Sequence, residues 1–250
     1  VNHNGQEELA YRLIDAAADA GADAVKFQTF KAEHVVTGTA KKAIYQIETT
    51  GESESQLEMI RRLELPYALH RQLMDYAEEK SLTFLSTAFD HKSLDFLVND
   101  LGISTLKIPS SEITNGPLLL AYARKVDDII LSTGMSTLGE IEEALGVLAF
   151  GLLGNKNPSR QAFQQSYISK EGQKAIREKV TLLHCTTEYP APFEDINLYA
   201  MDTMREAFGL PVGYSDHSDG VVVPIAAAAK GACVIEKHFT IDKCLPGPDH

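Results

Sequence analysis

The sequence predicts an α/β protein: a TIM-type (β/α)8 barrel that is incomplete at both ends of this chain. Three observations carry this. Seven short apolar runs rich in β-branched residues recur along the 250 residues. Longer amphipathic segments separate them, and apolar strands alternating with helices imply a parallel sheet covered on both faces. No glycine-rich dinucleotide fingerprint follows an early run, which ranks an open doubly wound sheet second.

In chain order, Asn2-His3-Asn4-Gly5 reads as a turn before the first helix, where Leu9, Leu13, Ile14 and Ala17 recur at helical spacing. The strands are expected at Ala24–Gln28, Thr83–Thr87, Thr105–Ser110, Asp128–Thr133, Val180–Cys185, Pro211–Ser215 and Cys233–Phe239. Leu69, Leu73 and Tyr76 mark one intervening helix; Ile141, Leu145 and Leu148 mark another. Thr137 and Glu140 form a capping box for the latter. Glu33 to Gln56 is polar and reads as a long loop over the barrel mouth, and Gly151 to Glu178 as an insertion with a helical pattern around Ser159–Tyr167. An eight-stranded barrel needs one more strand, expected before Val1, and Pro246–His250 reads as a loop with no eighth helix behind it. The intact gene product is therefore expected to be longer at both ends, with residues 1–250 a truncated catalytic barrel domain that on its own folds poorly or lacks activity.

Composition narrows the function classes. With 44% hydrophobic and 23% charged residues the chain can build a sizeable core. A net charge of −12 argues against nucleic acid or an anionic membrane as partner, and no apolar run approaches the roughly 20 residues of a membrane span. Cys185, Cys233 and Cys244 have no C-x-x-C spacing. Cys185 and Cys233 lie in apolar runs, so both are expected as buried free thiols in a reducing cytoplasm.

Chemistry-bearing residues gather at the C-terminal ends of the strands, the active-site face of a barrel. His217 and His238 end neighbouring late strands, one beside Ser215 and Asp216, the other beside Glu236. Two imidazoles there suit a divalent metal; the alternative is two separate core histidines, each satisfied by a hydrogen bond. Glu236 shares a face with His238, as a metal ligand or as the group that orients the imidazole. Lys26 and Gln28 share a strand face, and Lys107 interrupts an apolar run opposite Leu106 and Ile108. A buried lysine without an anionic partner is costly, so Lys26 and Lys107, with the nearby hydroxyls of Thr87, Ser110 and Ser132, point to a phosphate or carboxylate. Glu112 and Asp249 are carboxylates near the same mouth, suited to sugar hydroxyls or proton transfer, or to a helix start and a solvated loop. Tyr189, between Thr187 and the prolines 190 and 192, either faces a ligand or shapes its loop. His3 and Asn4 are weaker rim candidates. His34, His70 and His91 are expected at the surface.

The strings NHNG, AVKFQTF, STAFD, LKIPSSE, LSTGM, HCTTEYPAPFED, GYSDHS, EKHFTIDK and LPGPDH occur in that order over nearly the whole chain. Together they resemble the sialic acid synthase family. That resemblance implies condensation of phosphoenolpyruvate, through its C3, with the aldehyde of an open-chain N-acetylated amino sugar. The usual sugar is N-acetylmannosamine. Water then attacks C2, phosphate leaves by C–O cleavage, and a nine-carbon 2-keto acid such as N-acetylneuraminate results. It implies a divalent metal on His217 and His238, manganese before magnesium or cobalt, that polarises the aldehyde. Lys26, Thr87, Lys107, Ser110, Ser132 and Ser215 match the phosphoenolpyruvate site, with Thr187 near a position where one member of the family uses asparagine. Gln28, Phe89, Glu112, Tyr189 and Asp249 match the amino-sugar side. Catalysis would rest on Lys26, Lys107, Glu112, His217 and His238. The family also implies a homodimer in which a C-terminal antifreeze-like domain, absent here, adds an arginine to the partner's sugar site; a glutamate on the family's first strand is absent too. A legionaminate-type synthase acting on a diacetamido-trideoxyhexose shares most of these strings. Synthases of seven- and eight-carbon ulosonate phosphates would need a second phosphate site, for which no arginine cluster is visible. A non-catalytic sugar-binding barrel is the remaining alternative, and would not need the metal.

Overall fold

A computed structural model describes residues 2–51, 53–248 and 250, with Tyr45, Glu48 and Thr49 described by their backbone only. All seven expected strands form: β1 Ala24–Thr29, β2 Thr83–Ala88, β3 Thr105–Ile108, β4 Asp128–Ser132, β5 Val180–His184, β6 Val212–Asp216 and β7 Ile235–Lys237. Helices separate them, so the chain is an α/β protein. It divides into two compact units, Val1–Ile103 with His238–His250, and Ser104–Lys237.

In the first unit β1 and β2 pair in parallel, with Phe27 opposite Ser86 and Gln28 opposite Thr87. The turn at residues 2–5 forms as expected. Asn4 and Gly5 both take positive φ, and a Cβ on Gly5 would strike the Arg62 carbonyl oxygen. Helix Glu7–Asp19 follows and buries Leu9, Leu13, Ile14 and Ala17. The turn also grips the distant end of the chain. Asn2 Nδ2 donates to the Phe239 carbonyl at 2.6 Å, and Asn4 Nδ2 to that of Pro246 at 2.7 Å.

Two expectations fail in this unit. The polar stretch from Glu33 to Gln56 is not simply a loop: it contains helix Ile44–Thr50 and overlaps helix Ala32–Val35. Lys42 organises it, with a side chain 3% exposed that donates to Thr50 Oγ1, the Gly51 carbonyl and Glu54. Such anchors leave no trace in hydrophobic periodicity. His70 is not at the surface but fully buried. Its Nδ1 lies 3.0 Å from the Pro66 carbonyl and its Nε2 2.9 Å from Thr29 Oγ1, which in turn lies 2.7 Å from Ser86 Oγ. A carbonyl only accepts, so Nδ1 carries the proton. The donors therefore run Ser86 to Thr29 to His70 to Pro66. Burial holds the His70 pKa below its ordinary value, so the ring stays neutral.

The second unit carries β3 to β7, each paired in parallel with the next. The register sets Lys107 opposite Ile130, Ser132 opposite Leu183, Leu183 opposite Gly213, and Ser215 opposite Glu236. Since strand side chains alternate, Lys107, Ser132, Ser215 and Glu236 share one face, and His184, Tyr214, Asp216 and Lys237 the other. Four flat strand spacings would put β3 about 19 Å from β7. Yet Lys107 forms an ion pair with Glu236, so the sheet curls strongly and that shared face is its concave side.

Helix Leu138–Leu152 starts with the expected capping box: Thr137 Oγ1 accepts from Glu140 N, and Glu140 accepts from Thr137 N. It packs between helix Gly116–Lys125 and helices Arg160–Ile168 and Lys170–Lys179 of the insertion. This burial explains its continuous apolar sequence from Ala144 to Phe150. Cys185 is buried as expected, but Cys233 is exposed. β7 is shorter than its apolar run, and among the described residues it pairs with β6 alone, at one end of this unit's strand order. Among the described residues no helix is long and apolar enough to cross a membrane.

Candidate functional site

The concave face of the second unit brings four expected site residues together. The Lys107 side chain is 9% exposed, and its charge is met by Glu236. The backbone beneath is held by Tyr122, fully buried, whose hydroxyl donates to the Lys107 carbonyl at 3.2 Å. Ser215 Oγ donates to the same Glu236 oxygen at 3.0 Å and lies 3.5 Å from His217 Nε2. Glu236, read from the sequence as a possible metal ligand, thus neutralises the strand lysine. Ser132 faces the same concavity, and its buried hydroxyl has no hydrogen-bond partner among the described residues. A buried hydroxyl in that state is uncommon and marks a place for a water or a ligand.

His217 sits one residue beyond β6. Its Nδ1 is 2.5 Å from the Thr186 carbonyl, so that nitrogen carries the proton and Nε2 presents its lone pair toward the hydroxyls of Tyr189, at 3.2 Å, and Ser215. The Tyr189 ring lies against the imidazole at 4.2 Å between centroids, and the Ala191 N–H donates to the His217 carbonyl at 2.8 Å. Burial, reinforced by the Lys107 charge, pushes the His217 pKa below its ordinary value. A neutral imidazole with Nδ1–H fixed by a carbonyl is the form that ligates a metal through Nε2, so this residue fits the expected role. Among the described residues, no three His, Cys, Asp or Glu side chains are grouped to hold an ion.

A second cluster lies at the ends of β3, β4 and β5. Ser110, placed by sequence inside a strand, opens the 3-10 turn Ser110–Glu112 instead. Its Oγ accepts from Gly134 N at 3.2 Å and lies 3.3 Å from Cys185 Sγ. A Cβ on Gly134 would overlap Thr187 Oγ1, with Cys185 Sγ at 2.7 Å and Ser110 Oγ at 3.0 Å. The glycine is required because three side chains close over it. Gly134→Ala is therefore expected to force these groups apart, at about 1–3 kcal/mol from overpacking. A urea midpoint below the parent's would show that strain; an unchanged midpoint would mean that Thr187 and Cys185 move aside without cost. Glu112 is half-buried and accepts from Asn115 Nδ2 at 2.7 Å.

The remaining expected residues belong to the first unit. Lys26 and Gln28 share one face of β1, both half-buried, while Val25, Phe27 and Thr29 fill the other. Thr87 stands opposite Gln28, and its buried hydroxyl, like that of Ser132, has no partner among the described residues. Phe89 packs edge-on against Phe30 at 6.0 Å. His238 is half-buried just after β7. His3, a weak rim candidate, is buried beside Phe27; its Nδ1 accepts from Gly5 N at 3.0 Å. Asn4 grips the end of the chain. Asp249 lies outside the described residues. His70 with Thr29 and Ser86 was missed. The only sequence signal was Thr29 and Ser86 at inward positions of apolar strands.

Comparison with known proteins decides the family. A model described as the NeuB family matches residues 13–250. The chain belongs to the NeuB family. Among its NeuB-type relatives, the N,N'-diacetyllegionaminic acid synthases of Campylobacter jejuni and Legionella pneumophila are 52% and 47% identical over the whole chain, which spans 68% and 64% of their lengths. Human N-acetylneuraminate-9-phosphate synthase is 29% identical, with 62% of its length covered. The solved N-acetylneuraminic acid synthetase of Leptospira borgpetersenii, in complex with citrate, is 33% identical at a TM-score of 0.74, over 98% of this chain and 72% of that one.

Proposed function

We propose that this NeuB-family chain is the catalytic part of a synthase that condenses phosphoenolpyruvate and water with the open-chain form of a diacetamido-trideoxyhexose, giving an N,N'-diacetyllegionaminic acid and phosphate. The observation that carries the anion half is the buried Lys107 on one concave face with Ser215 and with the Ser132 hydroxyl, which has no partner among the described residues. The Glu236 carboxylate already holds the Lys107 ammonium and the Ser215 hydroxyl there, and a substrate phosphate or carboxylate would take its place on the same donors. The sugar rests on the relatives: identity to legionaminic acid synthases exceeds that to N-acetylneuraminate-9-phosphate synthases by more than 15 percentage points. This displaces N-acetylmannosamine, the sugar first expected from the sequence, as the preferred substrate.

In this reading Lys107, Ser110, Ser132, Thr187 and Ser215, with Lys26 and Thr87, hold phosphoenolpyruvate. Gln28, Phe89, Glu112, Tyr189 and Asp249 face the sugar. A divalent metal, manganese or else magnesium or cobalt, held by His217 and His238, would polarise the aldehyde when bound. The chain's own groups would orient C3 of the enol toward that carbon. The strands would belong to an incomplete (β/α)8 barrel, and the whole protein to a cytoplasmic homodimer.

Phosphate release from phosphoenolpyruvate, measured on the full-length protein with manganese, separates the alternatives. Release with the diacetamido-trideoxyhexose well above that with N-acetylmannosamine is expected. The reverse order would return the sugar to N-acetylmannosamine, and binding of sugar without release would favour a non-catalytic barrel.

A further inference from the structure

The opposite face of the sheet carries an ion pair that neither the expected substrates nor the metal would touch. Asp216 is fully buried, and both its oxygens are filled. Oδ2 accepts from Lys237 Nζ at 2.5 Å; Oδ1 accepts from Ser218 N at 3.0 Å and Ser218 Oγ at 2.7 Å. Lys237 Nζ also donates to the Ser218 carbonyl at 2.9 Å. Asp216 and Lys237 are the last register pair of β6 and β7, directly after Ser215 and Glu236 on the concave side.

The contact from Asp216 Oδ1 to the N–H two residues on closes an Asx turn, and the residue enclosed is His217. The carboxylate thus constrains the backbone that aims the imidazole, and the lysine ties that backbone to β7, where Glu236 sits. The lysine side chain is 30% exposed while the carboxylate is fully buried, and pairing a buried carboxylate is a poor way to gain stability, because apolar residues of similar volume generally do as well or better. The pair's presence at the end of two strands, bracketing His217, calls for another role.

We propose that Asp216 and Lys237 are positioning residues: the pair locks β6 to β7 so that Ser215, Glu236 and His217 keep their mutual geometry. This deepens the proposed function without adding a contact to substrate.

The test is an Asp216→Asn/Lys237→Met double substitution in the full-length protein. The asparagine Oδ1 still accepts from Ser218, and no charge is left buried, so the fold should hold with a urea midpoint close to the parent's. Two readouts decide. In 15N spectra of the histidines, the parent His217 should show a single Nδ1-protonated tautomer and the variant a mixture. Phosphate release should lose kcat on the order of a hundredfold, the scale of a misplaced reacting group, with a smaller change in KM. Lys237→Arg, which keeps the charge, should recover most of the rate. A folded double variant with the parental tautomer and parental kcat would overturn the proposal and leave the pair as packing. If the parent releases no phosphate with any amino sugar, the functional reading fails; the imidazole spectrum then decides the positioning role by itself.

Discussion

Lys107→Met will abolish condensation and weaken the fold together. The substitution keeps the length of the side chain but leaves the Glu236 carboxylate, 16% exposed, facing Ser215 without its cation. Removing one partner of a buried pair costs about 3–5 kcal/mol, because the remaining charge loses its counter-ion. Turnover should fall on the order of a thousandfold, since the positive charge proposed to meet the substrate anion is gone. The companion Lys107→Met/Glu236→Leu variant separates the effects. It should regain most of the lost stability, as apolar replacement of a buried pair usually does, and remain inactive. Urea midpoints and phosphate release on the parent and the two variants tell stability from catalysis. A Lys107→Met protein that is weakened but fully active would show that the lysine neutralises Glu236 and does nothing more.

Acid will destabilise the protein well before carboxylates protonate. Burial lowers the His3 pKa from 6.5 to about 2, and pushes those of His70, His184 and His217 down as well. The unfolded chain takes up a proton on each ring below about pH 6.5, while the folded chain refuses it. Their contribution is therefore complete above pH 6.5 and is lost as pH falls through the interval between the unfolded and folded values. For His3 that interval reaches from 6.5 to about 2. At pH 5 this residue alone should cost about 2 kcal/mol, from 1.5 pH units at 1.36 kcal/mol each. The urea midpoint should drop between pH 7 and pH 5, and drop less in His3→Gln. Equal midpoints at the two pH values would mean that these rings are charged in the folded state.

The strands were legible because each is a run of apolar residues that only a covered parallel sheet accommodates. Lys107 was legible for the converse reason: a charge amid Leu106 and Ile108 demands a partner. What the sequence did not disclose was the partner. Glu236 lies 129 residues away, and its meeting with Lys107 depends on the curl of the sheet rather than on spacing. His70 was misread for a related reason. Its helix is amphipathic by pattern, but the histidine is drawn inward by Thr29, 41 residues earlier. Cys233 was misread because an apolar run says nothing about which strand a unit leaves at its edge. The sugar was the least legible feature, since close relatives share the strings that signal the chemistry.

The grip of Asn2 on Phe239 and of Asn4 on Pro246 bears on synthesis. The second unit is one continuous stretch, Ser104–Lys237, whereas the first is interrupted by it. On the ribosome, every residue of the later stretch emerges before Phe239 and Pro246 reach the amides that wait for them. Closing those contacts spans 237 and 242 residues, yet the entropy of closure grows only with the logarithm of that length. The delay is thus one of order rather than of energy. Until residues 239–246 have left the exit tunnel, the Asn2 and Asn4 amides lack the carbonyls that hold them in the finished fold.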